Sequence, residues 1–234
     1  MRLLSWIYVP KCTVCRKRLD VTRDITLCDE CLLKWEREKD GKCPTCGQSS
    51  RDCWCGIPSD SHKRIYAERH LSYYASHSES VTKSMILAMK KRMTLPLAQM
   101  FSQELAELVS ESILNDADLI VNVPRSHNSV RKYGFDQTLI LAQGISKILN
   151  KPLVQILLHK GKTMQKSLRY EERMQNARKS YELPQENKDL IKGKSVILLD
   201  DVVTTGATVT RCASLLKRAG AKRIYVLCIA KAYR

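Results

Sequence analysis

Residues 195–210, SVILLDDVVTTGATVT, set two carboxylates back to back at the end of an apolar run and follow them with Thr-Thr-Gly-Ala-Thr. The pattern reads as a buried strand, a turn and the start of a helix. In open α/β sheets ligands bind beyond the carboxyl ends of the strands. A helix N-terminus there offers unpaired N–H groups and a partial positive charge, which hold phosphate. Gly206 lets the backbone come close, and the hydroxyls of Thr204, Thr205 and Thr208 add donors. Asp200 and Asp201 are then placed to accept hydrogen bonds from vicinal ribose hydroxyls when a 5-phosphate sits in the loop. They also suit magnesium, which prefers oxygen ligands. The expected binding segment is Asp200, Asp201, Val203, Thr204, Thr205, Gly206, Ala207 and Thr208.

A second chemistry lies in the first quarter of the chain. Eight of the ten cysteines precede Gly56, paired as Cys12/Cys15, Cys28/Cys31, Cys43/Cys46 and Cys53/Cys55. A CxxC turn presents two thiolates on one side, and two such turns close a tetrahedron around zinc. A disulfide framework would need an oxidising compartment, which nothing in the sequence suggests. The expectation is a structural zinc module over residues 1–58 with one or two ions. The ligands pair either in sequence order or cross-braced, first pair with third and second with fourth. So short a module cannot fold on apolar burial alone, and zinc supplies on the order of 10 kcal/mol. Trp35, with Leu32 on an apolar helix face, reads as its small core; Trp54 is a core residue or a stacking surface. Cys212 and Cys228 read as buried apolar side chains. No internal repeat is evident.

From about residue 65 to 234 the pattern alternates. Strands are expected at 69–76, 118–124, 152–159, 195–201 and 222–230. Helices are expected at 80–91, 96–114, 135–150, with Asp136 near its start, and 207–220. Strands alternating with helices imply an α/β fold, a parallel sheet with helices on both faces. Gly161–Thr163 and Gly193–Ser195 end like a P-loop, but Ile156 and Lys188 stand where its first glycine belongs, so the chain is not a P-loop ATPase.

The 234 residues carry 40 Lys and Arg against 24 Asp and Glu, a net charge of +16. That excess points to polyanionic partners, nucleic acid or phosphorylated small molecules. Lys90, Lys91, Arg92, Arg125, Arg131, Lys132 and Lys162 are candidate contacts, with Trp54 available to stack on bases. The apolar stretch in MRLLSWIYVPKC is too short for a spanning helix and lacks a small-residue cleavage site, so a cytoplasmic protein without membrane insertion is expected.

The loop at 200–208 resembles the phosphoribosyl pyrophosphate (PRPP) loop of type I phosphoribosyltransferases. VNVPRSHNSVRKYGFDQTLILA resembles the ComF-family pattern of strand, Pro, basic loop, R-x-x-G-F-N-Q and helix, through Pro124, Arg131, Gly134, Phe135 and Gln137. Asp136 stands where the family usually has Asn, and Tyr133 where Arg is common. The run Gln165, Leu168, Arg173, Asn176 resembles a further family pattern, and with the cysteine pairs the likeness extends over nearly the whole chain. The resemblance implies a phosphoribosyltransferase fold and a part in bacterial uptake of transforming DNA. It implies action on incoming single strands beside a competence helicase and recombination-loading proteins. It places a pyrophosphate-binding loop at Pro124, Arg125, Ser126 and Arg131. For DNA, Arg131, Lys132 and Trp54 are the expected contacts. Three functions stand open: a single-stranded-DNA-binding accessory protein with a PRPP pocket, an active phosphoribosyltransferase whose acceptor the sequence does not name, and a PRPP- or nucleotide-sensing adaptor.

Overall fold

The computed structural model describes residues 9–20, 22, 25–50, 53, 55, 63–75, 80–160, 177 and 179–233. Its main sheet is built from β1 (Ala67–Ala75), β2 (Leu119–Asn122), β5 (Ser195–Val203) and β6 (Arg223–Tyr233), four parallel strands in the order β1-β6-β5-β2. β5 is buried almost throughout, as a parallel strand covered on both faces must be. Successive side chains serve opposite faces. Ile197 and Leu199 join Tyr225, Phe101, Leu105, Leu141 and Ile145 on one side. Val196 and Leu198 join Val226, Cys228, Cys212 and Leu216 on the other.

The first face is covered by α2 (Val81–Lys91), α3 (Leu95–Ser110) and α5 (Gln137–Leu149), and the second by α6 (Ala207–Arg218). A Cβ at Gly144 would collide with Ser102, so α5 lies close against α3. Asp136 caps α5, accepting from the amides of Thr138 and Leu139, which satisfies donors the helix leaves unpaired.

Three expected elements differ. The strand over 152–159 pairs with β2 only at its start, where Leu153 bridges Ile120 and Val154 N donates to Ile120 O at 2.8 Å. Ile156 and Leu157 then both bury into the second face, which the alternation of a strand forbids. The chain turns off to form a short antiparallel pair, β3 (Leu158–His159) with β4 (Tyr181–Glu182). The helix over 96–114 stops at Ser110, and a 3-10 turn at Ile113–Asp116 follows. The basic loop after Pro124 contains a two-turn helix, α4 (His127–Tyr133), capped by Ser126 and ended by Gly134 in the left-handed region at φ 83.

The cysteine region is built from two knuckles of the same geometry. Lys11 bridges Arg18 and Lys42 bridges Ser49, both antiparallel. Cys12 N donates to Lys17 O at 2.8 Å, and Cys43 N to Gln48 O at 2.7 Å. Arg16 and Gly47 both take left-handed backbone, φ 66 and 72. The repeat escaped the sequence because little beyond the CxxC is shared. Helix α1 (Asp29–Lys39) leaves the first cluster with acids in its first turn and bases in its last, complementing its dipole. Trp35 is fully buried as expected, whereas Leu32, 42% exposed, lies on the outer face; Cys31, one turn before Trp35, takes the inner position.

The region is fastened to the sheet domain by directed contacts. The Trp35 ring meets Phe101 edge to face at 5.9 Å, and its indole N–H donates to Glu104 at 2.9 Å. The Glu38 carboxylate receives the amides of Val81 and Thr82 at 2.9 and 2.8 Å, fixing the start of α2. Lys231 Nζ donates to Cys53 O at 3.2 Å and to Glu68 at 3.0 Å. Among the described residues no helix is long and apolar enough to cross a membrane.

Trp35→Ala removes the largest side chain at this junction and leaves Glu104 without its indole donor. Chemical denaturation should record a destabilisation of about 3–5 kcal/mol; a value below about 1 kcal/mol would mean that the junction contributes little.

Candidate functional site

Strand β5 lies inside the sheet, and its final residues carry both acids. Asp200 and Asp201 are buried, at 9% and 7% exposure. Asp201 is met from two helices: Gln137 Nε2, at the start of α5, donates to its Oδ2 at 2.7 Å, and Lys90 Nζ, near the end of α2, lies 3.2 Å from the same oxygen. Asp200 accepts the Asp201 amide at 2.8 Å. Burial pushes the Asp200 carboxyl up to about 7, and the neighbouring charge of Asp201 adds to the rise. Two acids side by side in a dry site cannot both ionise cheaply.

Beyond them the loop makes a hollow of about 30 Å³, lined by Asp200, Val202, Val203, Thr204, Thr205, Gly206, Ala207, Thr208 and Val209. Gly206 caps α6 with φ 71, a conformation costly to any residue with a Cβ. The first amides of α6 have no partner within the helix. The hollow and those amides suit one phosphate group. Tyr181 on β4 stands behind the lining: its hydroxyl meets Thr208, and its carbonyl accepts from Arg211 at 2.9 Å. No periodicity in the sequence marks Tyr181, because its strand is two residues long.

The segment after β2 stands beside the acids through α5. Arg125 N donates to Asp136 Oδ2 at 2.8 Å, and Thr138 Oγ1 donates to Val123 O at 2.6 Å. The Arg125 guanidinium is taken up internally. It donates to Lys90 O at 2.9 Å and Phe135 O at 3.3 Å and lies 4.6 Å from the Tyr133 ring centre. Pro124 is half-buried, Ser126 is the α4 cap, and Arg131 and Lys132 are exposed on α4. Lys90, expected on a nucleic-acid surface, thus belongs to the acid pair. Its signal was ambiguous, since a lysine beside two further bases looks like a solvated helix end. Trp54, Lys162 and the run Gln165, Leu168, Arg173, Asn176 lie outside the described residues.

A family model described as phosphoribosyl transferase domain matches residues 137–234, which begin at the glutamine on Asp201. Competence protein F of Haemophilus influenzae is 30% identical over 117 residues, 49% of this chain and 51% of that protein. DNA utilization protein YhgH of Escherichia coli K12 is 31% identical over 118 residues, 49% of each. The chain is similar to these competence and DNA-utilization proteins over about half its length. It spans about half the length of these two relatives in the matched region. A ribose-phosphate pyrophosphokinase of Thermococcus kodakarensis is 53% identical over 36 residues, 15% of this chain and 13% of its own.

The chain also carries two metal-sized clusters. Cys12, Cys15, Cys28 and Cys31 bring their Sγ atoms within 4.8 Å of one another, as do Cys43, Cys46, Cys53 and Cys55. The pairs therefore close in sequence order, and the cross-braced alternative does not occur. Zinc at about 2.3 Å from four sulfurs makes a tetrahedron with edges near 3.8 Å. Cys15 and Cys28 are 3.5 Å apart, and Cys46 and Cys53 3.7 Å. The donors fit zinc and leave no open position for substrate. Burial raises the Cys12 and Cys43 thiols, yet backbone amides in the turns outweigh it and hold both at about 7. Cys212 and Cys228 are fully buried and pushed well up, which leaves them inert.

Metal analysis should find two zinc ions per chain, and Cys12→Ser should lose one of them; a single ion in the intact chain would contradict the two clusters. Asp200→Asn should stabilise the protein. The folded Asp200 holds its proton up to about pH 7, against an unfolded value near 4. Its contribution to stability is therefore complete below about pH 4 and is lost as pH rises through about 7. The advantage of the Asn variant should grow across that window to the order of 2–4 kcal/mol, read by urea denaturation. An advantage independent of pH would contradict the buried-acid assignment.

Proposed function

We propose that this chain is a cytoplasmic accessory protein of DNA uptake that binds PRPP in the 200–208 loop and single-stranded DNA on its basic surface. The observation that carries the PRPP reading is the buried acid pair set against an anion-sized hollow at a helix start. The first amides of α6, with Thr204, Thr205 and Thr208, take the 5-phosphate. Asp200 and Asp201 accept from the ribose hydroxyls, and ligand binding favours the ionised form of Asp200. Lys90 and Gln137 hold Asp201 for that contact. The Ser126 amide and the Arg131 side chain take the pyrophosphate, and Pro124 and Arg125 shape this segment, Arg125 through its internal bonds. Asp200 and Asp201 would help hold magnesium, which when bound would offset the negative charge of the pyrophosphate. The DNA reading draws on the +16 charge and on the names of the relatives, a competence protein and a DNA utilization protein. Competence helicase and recombination-loading proteins are the partners that such a role requires.

The match to the phosphoribosyl transferase domain favours a second reading, in which the ribose is transferred to an acceptor. Positioning and electrostatics would then carry the rate.

Crystals soaked with PRPP and magnesium should hold the 5-phosphate against the amides of residues 204–208 and the ribose against the two acids. Phosphate density elsewhere, with the loop empty, would reject the assignment. Release of pyrophosphate on adding a nucleobase would establish transfer; none with any base, despite binding, would leave the accessory role.

A further inference from the structure

A second concavity lies where the first knuckle meets the end of α2. It encloses about 560 Å³ and is lined by Val9, Lys11, Thr13, Arg16, Arg18, Ala88, Lys91, Arg92 and Thr94. Five of these residues are cations and none is acidic. All five are exposed, and among the described residues none has a carboxylate partner. Their neighbours are treated differently. Lys17, on the same hairpin, pairs with Glu30 at 2.7 Å, and Lys90, one residue before Lys91, pairs with Asp201 at 3.2 Å. These two paired lysines do not line the cleft, whereas the five cations that do are left without an acid among the described residues.

Two features show that this charge is held against local cost. Lys11 and Arg18 stand directly opposite each other in the antiparallel bridge, where like charges destabilise. Arg16 occupies left-handed backbone at φ 66, which is unfavourable for a residue with a Cβ. The second knuckle performs the same turn with Gly47 and has Ser49 where the first has Arg18. The turn itself therefore requires neither arginine. Lys91, in the last turn of α2, complements its dipole, and Arg92 follows as the C-cap, but that role does not call for the cations on the hairpin.

We propose that this cleft binds the sugar–phosphate backbone of single-stranded DNA, an inference that rests on the DNA-binding reading above. Five cations distributed over a hairpin and a helix end match successive phosphates better than one small anion. The hydroxyls of Thr13 and Thr94 supply neutral donors, and Val9 and Ala88 an apolar floor for sugar. A concavity walled by long side chains admits a single strand and excludes both a flat lipid surface and a broad duplex. The cleft and the PRPP loop share the end of α2, with Lys90 serving the loop and Lys91 the cleft.

The test exchanges the first knuckle's residues for those of the second, in Arg16→Gly with Arg18→Ser. Glycine suits the backbone there and serine removes the like charge opposite Lys11, so zinc content and PRPP affinity should stay at wild-type values while thermal unfolding moves up. Anisotropy with a labelled oligothymidylate across a salt series should show affinity reduced about tenfold or more at low salt. The log–log salt slope should be shallower by about 0.7 for each phosphate that the variant no longer neutralises. Lys91→Gln with Arg92→Gln should reduce both further. Wild-type binding that these variants leave unchanged in affinity and slope would overturn the cleft assignment while the DNA reading stood. No oligothymidylate binding by wild type at low salt would overturn both. Weakened binding to phosphatidylglycerol vesicles, with oligothymidylate binding retained, would give the cleft to lipid and also overturn the proposal.

Discussion

The arrangement turns on a carboxylate that has to be paired inside the molecule. Asp201 leaves the middle of a parallel sheet at 7% exposure, where an unpartnered charge would be prohibitive. Its partners come from different helices, Lys90 from α2 and Gln137 from α5. Each is anchored in turn. The Lys90 carbonyl receives the Arg125 guanidinium, and Asp136, immediately before Gln137, receives the Arg125 amide and caps α5. The far end of α2 is fixed by Glu38 in the cysteine region. One polar chain thus runs from the cysteine region through α2 to the ligand loop.

Asp200 is the strained member of that network. It accepts a backbone amide, that of Asp201, and its carboxyl is raised by burial and by the Asp201 charge. A natural sequence tolerates such a residue where its ionised form meets something the folded protein alone does not supply. Vicinal hydroxyls of a bound ribose are donors of the right kind. In the proposed site the loop beside it contributes the complementary half, the first amides of α6, which have no partner within the helix. Anion and hydroxyl recognition in the proposed PRPP site are thereby divided between the helix start and the strand end.

Much of this was legible in the residues. Asp-Asp before Thr-Thr-Gly-Ala-Thr, at the junction of an apolar run and a helical pattern, located the loop, because both periodicities are strong and the turn chemistry is specific. The paired cysteines marked the metal-binding region, since thiol spacing is set by a local turn, but which pairs close together required the structure. What escaped depends on the third dimension. Lys90, Lys91 and Arg92 are consecutive and chemically alike, yet the helix turns the first toward Asp201 and leaves the other two at the cleft. Leu32 and Trp35 share an apolar stretch, but it is Trp35 that faces Phe101. Ile156 and Leu157 looked like strand residues because apolar content alone does not reveal two successive side chains buried on one face. The doubled knuckle was hidden because its geometry is carried by backbone bonds and by a left-handed residue that is arginine in one copy and glycine in the other.

The most direct test is calorimetric titration of PRPP with magnesium into wild type and into the Asp200→Ala, Asp201→Ala variant, with zinc content and unfolding measured alongside. Wild type should bind, and the variant, still folded, should bind about 100-fold more weakly, as expected for removing two charge-assisted hydrogen-bond acceptors. Equal affinity in the two proteins, or no binding by wild type, would contradict the assignment of the acid pair to a ribose.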